Sequence, residues 1–95
     1  MTSAAINKQK AVAAAIRRFP HFELPIRRLF EVNETFREIC EELRDAEFAL
    51  SATASTPTPL RETRKSEWQD LVDRLTSEVE AMIRRDFAAR SPRTI

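Results

Sequence analysis

The sequence predicts an all-α protein in which two long helices form an antiparallel hairpin beside a shorter N-terminal helix. Glycine is absent from the 95 residues, which removes the residue that tight strand-connecting turns and phosphate-binding loops use. Two long stretches repeat apolar residues every seven positions, and the prolines fall at or near the ends of the proposed helices. A chain of this length forms one domain, residues 1–95.

The first helix is predicted over residues 3–18. Ser3 is a candidate N-cap, and the segment is rich in alanine, the strongest helix former. Pro20 ends the helix, and residues 19–25 are predicted to form a rigid connector because two prolines in them fix φ.

The second helix is predicted over residues 25–51 and carries the clearest pattern in the chain. Pro25 suits its first turn. Two apolar rows offset by three positions follow a heptad spacing, which is typical of helices that pair lengthwise as in coiled coils. The residues of these rows are Leu29, Val32, Phe36, Ile39, Leu43, Ala46 and Leu50.

An uncharged, proline-containing loop is predicted over residues 52–58, followed by a helix over residues 59–89 and a frayed tail over residues 90–95. Thr58 before Pro59 resembles an N-cap with proline at the first helical position. A later start at Ser66 is an alternative, because Gln69 completes a capping box there. The heptad rows of this helix include Trp68, Val72, Leu75, Val79 and Met82. Together with the rows of the second helix they are called the seam.

The seam leaves two modes of assembly open. A lone hairpin has one line of contact between its helices and buries too little apolar surface to be stable. Either the first helix folds back to give a three-helix unit, or two chains form a dimeric four-helix bundle. Apolar residues outside the seam favour the homodimer, because one chain would leave several of them exposed. They are Phe30, Phe48, Leu71, Ile83 and Phe87.

No residue pattern in the chain indicates an enzyme, a cofactor or a metal site. The single histidine, His21, excludes a metal site built on two histidines. The single cysteine, Cys40, lies between Glu38 and Glu41 in the sequence. Negative charges near a thiol raise its pKa and so make the thiol less reactive. The remaining acids of the second helix have helical spacing but lie away from the seam, so we interpret them as a solvated face.

Paired arginines suggest a second function. In an antiparallel hairpin the end of the first helix, the start of the second and the end of the third lie at one pole, where arginines would converge. Such a pole could bind nucleic acid phosphates or an acidic protein segment. The net charge of only +1 and the lack of a recognition-helix motif make nucleic acid the less favoured partner. The candidate anion-binding residues are Arg17, Arg18, Arg27, Arg28, Arg84 and Arg85.

One cysteine and no visible signal peptide favour a reducing compartment, most simply the cytoplasm. The acid-free, alanine-rich start also has the composition of an organelle transit peptide, although a structural arm is the simpler interpretation. The longest apolar run, Ala11–Ile16, is far shorter than the roughly 20 residues of a membrane span.

Residues 26–85 resemble small bacterial helical-hairpin proteins of the YdcH-like type. The resemblance rests on Ile26-Arg-Arg-Leu29, then Asn33, Phe36-Arg-Glu-Ile-Cys40 and Leu43. The loop and third helix depart from that type in length and in lacking its lysine-rich face. The resemblance implies a hairpin that self-associates or binds another protein, with no catalytic residue to transfer. We therefore expect a non-enzymatic, cytoplasmic interaction or regulatory module that forms a homodimer and binds an unidentified protein partner through the seam.

Overall fold

The computed structural model describes residues 3–55 and 57–90, and all the regular structure in them is helical. Short 3-10 turns, Pro20–Phe22 and Thr53–Ser55, precede the second and the last of four α-helices. The α-helices are α1 Ser3–Arg18, α2 Glu23–Val32, α3 Glu34–Ala52 and α4 Thr58–Arg90. The all-α prediction is confirmed for the described residues. Of the predicted tail, only Arg90 lies among them, and it ends α4.

Helix α1 packs against α2 and α3 through its alanines. Ala11 and Ala15 are buried, and Val12 and Ile16 beside them are half-buried against the core. Small side chains at a contact allow two helix axes to approach closely. The alanine content of α1 therefore serves packing as well as helix propensity.

The prediction of one continuous helix over residues 25–51 is wrong, because the chain breaks at Asn33. This residue is extended, with φ −126° and ψ 102°. Its side-chain Oδ1 accepts a hydrogen bond from the backbone N–H of Phe36 at 2.9 Å and so caps α3. Its own N–H donates to the carbonyl of Leu29 at 2.8 Å and closes α2. Asn33 thus ends one helix and begins the next.

A second hydrogen bond crosses the break. The Arg37 guanidinium donates to the carbonyl oxygen of Phe30 at 2.6 Å, which satisfies a carbonyl in the last turn of α2. Helix α2 begins at Glu23, so the predicted connector is reduced to Phe19 and the 3-10 turn. The α-helical backbone is therefore interrupted at both ends of α2.

The predicted loop over residues 52–58 is mostly helical in the structure. Helix α3 continues to Ala52, and the following 3-10 turn buries Thr53, whose hydroxyl donates to the carbonyl of Leu50 at 2.7 Å. The carbonyl of Pro57 accepts from the backbone N–H groups of Leu60 and Arg61. Helix α4 therefore starts at the earlier of the two positions that the sequence offers and spans 33 residues, or about 50 Å.

Helices α3 and α4 run side by side in opposite directions. Near the connection, Trp68 shares a surface hollow with Ala49 and Thr53. At the other end, Met82 shares a hollow with Leu29 and Asn33, just before α3 begins. The first turns of α4 are exposed around the connection.

The core draws on every α-helix. Its largest fully buried side chains are Ile26, Phe30, Phe36, Val79 and Ile83. The rings of Phe30 and Phe36 meet edge to face with centroids 5.5 Å apart, directly across the break at Asn33. The break at Asn33 thereby places α2 over one end of the α3–α4 pair.

Candidate interaction surface

The structure buries most of the seam within a single chain. The buried members are Leu29, Phe36, Leu43, Ala46, Val72, Leu75 and Val79. All the others except Val32 are half-buried against the same core, and these are Ile39, Leu50, Trp68 and Met82. The seam residues are thus largely occupied with holding the chain's own helices together.

Val32 is a correction to the predicted seam, because 68% of its surface is exposed. It is the last residue of α2, directly before the extended Asn33. The change of direction at Asn33 removes Val32 from the heptad row that continues along α3. A heptad row predicts a common face only while the helix is unbroken.

The apolar residues outside the seam divide into two groups. Phe30 and Ile83 are fully buried in one chain, so they do not belong to the apolar surface that a monomer would expose. Phe48 remains 75% exposed and Phe87 52% exposed, as expected for a monomer. Leu71 is half-buried against the core.

Four of the six candidate anion-binding arginines form ion pairs. The pairs are Arg18–Glu47, Arg27–Glu23, Arg28–Asp86 and Arg84–Glu80. Arg17 and Arg85 form none with the described part of the chain. Neighbouring carboxylates thus neutralise most of these cations, which disfavours an anion site built on all six.

Asp86 joins α4 to α2. Its carboxylate accepts hydrogen bonds from Arg28 at 2.6 Å and from Arg90 at 3.2 Å, and only 13% of its side chain is exposed. Burial raises the pKa of Asp86, but the two guanidinium groups outweigh that effect and hold the pKa below its ordinary value. Asp86 is therefore ionised and held in place at neutral pH.

An aromatic contact lies at the same end of α4. The rings of Phe22 and Phe87 meet edge to face with centroids 5.7 Å apart, and the Arg84 guanidinium lies 5.9 Å from the centroid of Phe22. These contacts hold the 3-10 turn against α4.

Cys40 is buried in the core. Burial, together with the charge of Glu41, raises the pKa of the thiol to about 12. A protonated thiol is a poor nucleophile, so Cys40 acts as a small apolar core residue. Among residues 3–55 and 57–90, no three His, Cys, Asp or Glu side chains are placed to hold a metal ion.

One side of α4 carries apolar side chains that the chain only partly covers. Leu60, Leu71 and Met82 are spaced eleven residues apart, which is three helical turns plus about 20°, so they lie on one line. Leu60 is 53% exposed, while Leu71 and Met82 border the core and are half-buried. Arg64 and Glu78 lie on the same line, seven residues either side of Leu71, and both are exposed.

We call these five residues, Leu60, Arg64, Leu71, Glu78 and Met82, the outer stripe. Neither charged residue forms an ion pair within the described part of the chain. The seven-residue rows contain only Met82 of this line, because its apolar residues repeat every eleven positions. The eleven-residue spacing of Leu60, Leu71 and Met82 was the available signal.

No protein-family model, curated protein or solved structure matches the chain. The resemblance to YdcH-like hairpins therefore stays a prediction. No helix of the described residues combines the length and the apolar character that crossing a membrane requires.

Proposed function

We propose that this chain is a non-enzymatic helical interaction module that acts by self-association and by binding a partner helix. The observation that carries the proposal is the outer stripe. On α4, one side packs in the chain's own core, and the stripe beside it exposes Leu60 and leaves Leu71 and Met82 half-buried. Aligned apolar residues on a long helix are the usual contact line for a second helix.

Because the core is complete within a single chain, association is not needed to complete the fold. Val79 and Ile83 are fully buried on α4 without any second molecule. The chains therefore associate as folded units, and dissociation does not require unfolding. We assign this module to a reducing compartment such as the cytoplasm, since its one thiol is buried in the core rather than paired.

Anion binding through the arginine pairs receives less support. An anion would have to compete with Glu47 for Arg18, with Glu80 for Arg84 and with Asp86 for Arg28. We therefore propose no nucleic acid or acidic partner.

Sedimentation equilibrium tests the proposal directly. Across the micromolar range the average mass should rise from 11.0 kDa towards twice that value. Leu60→Ser should weaken the association about tenfold, since it removes an exposed apolar contact from each chain. Phe48→Ser is the matched control, because Phe48 is also exposed but lies on α3, outside the stripe.

A mass that stays at one chain at all concentrations would contradict self-association. Equal weakening by Leu60→Ser and Phe48→Ser would contradict the use of the stripe. Both residues are exposed, so neither variant is expected to unfold the protein.

A further inference from the structure

We propose that the outer stripe binds the outer stripe of a second copy of this chain, antiparallel and centred on Leu71. This inference rests on the proposed function and adds the occupant, direction and register of the contact. It follows from the arrangement of charge around the apolar line, together with the lack of ion-pair partners for those charges among residues 3–55 and 57–90.

The charges on the stripe are self-complementary in one orientation only. Arg64 lies seven residues before Leu71 and Glu78 seven residues after it. When two α4 helices run antiparallel with Leu71 opposite Leu71, each Arg64 faces Glu78 of the second copy, and symmetry produces the pair twice. A parallel pairing would place Arg64 against Arg64 and Glu78 against Glu78, which is repulsive.

The apolar residues agree with the same register. Leu60 lies eleven residues before Leu71 and Met82 eleven residues after it, so each Leu60 faces Met82 of the second copy. Met82 lines a surface hollow of about 340 Å³, whose other lining residues are Leu29, Asn33, Arg85 and Asp86. The exposed first turns of α4 would bring Leu60 to that hollow, where it would contact Met82 and Leu29.

The positions of two further charged residues also suit the antiparallel register. Glu67 and Arg74 are exposed on the flank of the stripe and form no ion pair within the described residues. In the antiparallel register Glu67 is level with position 75 of the second copy and lies next to its Arg74. Arg74 and Glu78 of one chain also stand four residues apart without pairing, so both are available to the second copy.

The environment of α4 leaves the stripe accessible. Helix α1 packs on α2 and α3, and α4 packs on α3 and α2 through the buried Val72, Val79 and Ile83. The charged residues at the centre of the proposed contact, Arg64 and Glu78, are exposed. A second helix can therefore lie along α4 without displacing any helix of its own chain.

Charge reversal in sedimentation equilibrium tests the register. Arg64→Glu alone, or Glu78→Arg alone, turns both symmetric attractive pairs into repulsive ones and should weaken the dimer at least about tenfold. An equimolar mixture of the two variants should restore the dimer, since one chain then offers two acids where the other offers two arginines. The doubly substituted chain, with Arg64→Glu and Glu78→Arg together, should also dimerise.

Matched controls use charges on another side of the same helix. Lys65→Glu and Glu62→Arg make the same changes in charge at exposed positions more than about 100° away from the stripe. Both should leave the dimer unchanged. Circular dichroism and thermal unfolding at low concentration check that every variant keeps the fold.

The outcomes separate the two proposals. Dimerisation of the unmodified chain with no effect of either single reversal would overturn the register and leave self-association standing. Failure of the mixture to restore a dimer that both single variants had lost would also overturn the antiparallel pairing. An unmodified chain that remains monomeric would overturn self-association itself.

Discussion

The two sides of α4 differ in how far the rest of the chain buries them. On the inner side, Val72, Leu75, Val79 and Ile83 are each no more than 3% exposed. On the outer stripe, Leu60 is 53% exposed, and the charged residues have no partner in the described part of the chain. One helix therefore carries a face that folding satisfies and a neighbouring face that it does not.

The charged residues on the two sides of α4 also differ in burial and in ion pairing. Asp86, at the contact with α2, is nearly buried between two arginines. Arg64 and Glu78 are exposed, and neither forms an ion pair with any residue that the structure describes. A helix of 33 residues that pairs Asp86 where it meets its own chain, but whose stripe charges form no ion pair with the described residues, is suited to a further helix contact.

The largest difference between the two sides should appear in the free energy of unfolding when one apolar side chain on each side is shortened to alanine. Ile83→Ala leaves a cavity in the core and should lower the free energy of unfolding by about 2–5 kcal/mol. Leu60→Ala, on the outer stripe, should lower it by less than about 0.5 kcal/mol in dilute solution. Urea unfolding followed by circular dichroism measures both values. Similar losses for the two variants would contradict the division of α4 into a folding face and a free face.

A smaller effect is expected at the paired end of α4. Asp86→Asn removes the charge that Arg28 and Arg90 share and should destabilise the fold by about 1–2 kcal/mol at neutral pH. Because folding lowers the pKa of Asp86, its contribution is present above the ordinary value of 3.8 and is lost as the pH falls through the folded value.

Urea unfolding at several pH values tests the sign of this effect. The difference between the unmodified chain and Asp86→Asn should be constant from neutral pH down to about pH 5 and should shrink in stronger acid. A difference that grows with acid would mean that the two arginines do not stabilise the ionised carboxylate.

A destabilisation smaller than that at Asp86 is expected at the break between α2 and α3. Asn33→Ala removes the acceptor for the Phe36 N–H and should lower the free energy of unfolding by about 1 kcal/mol. Asn33→Asp keeps an N-cap acceptor and is the matched control. If both variants unfold like the unmodified chain, the capping bond does not hold the break.

The sequence by itself determined the all-α class and much of the core. The absence of glycine and the heptad rows predicted helices, and residues such as Phe36, Leu43 and Val79 are buried as their spacing suggests. These features are local, since a helical periodicity marks an apolar face wherever the helix is continuous.

Tertiary structure decided where that continuity ends and which face stays free. Asn33 is of a type that favours helix N-caps, but the heptad rows run across it without interruption; in the structure it caps α3, lets Phe30 pack on Phe36 and removes Val32 from the seam. The burial of Ile83 likewise depends on helices distant in sequence. A helix can have more apolar residues than one contact line holds, and only packing determines which of them its own chain covers.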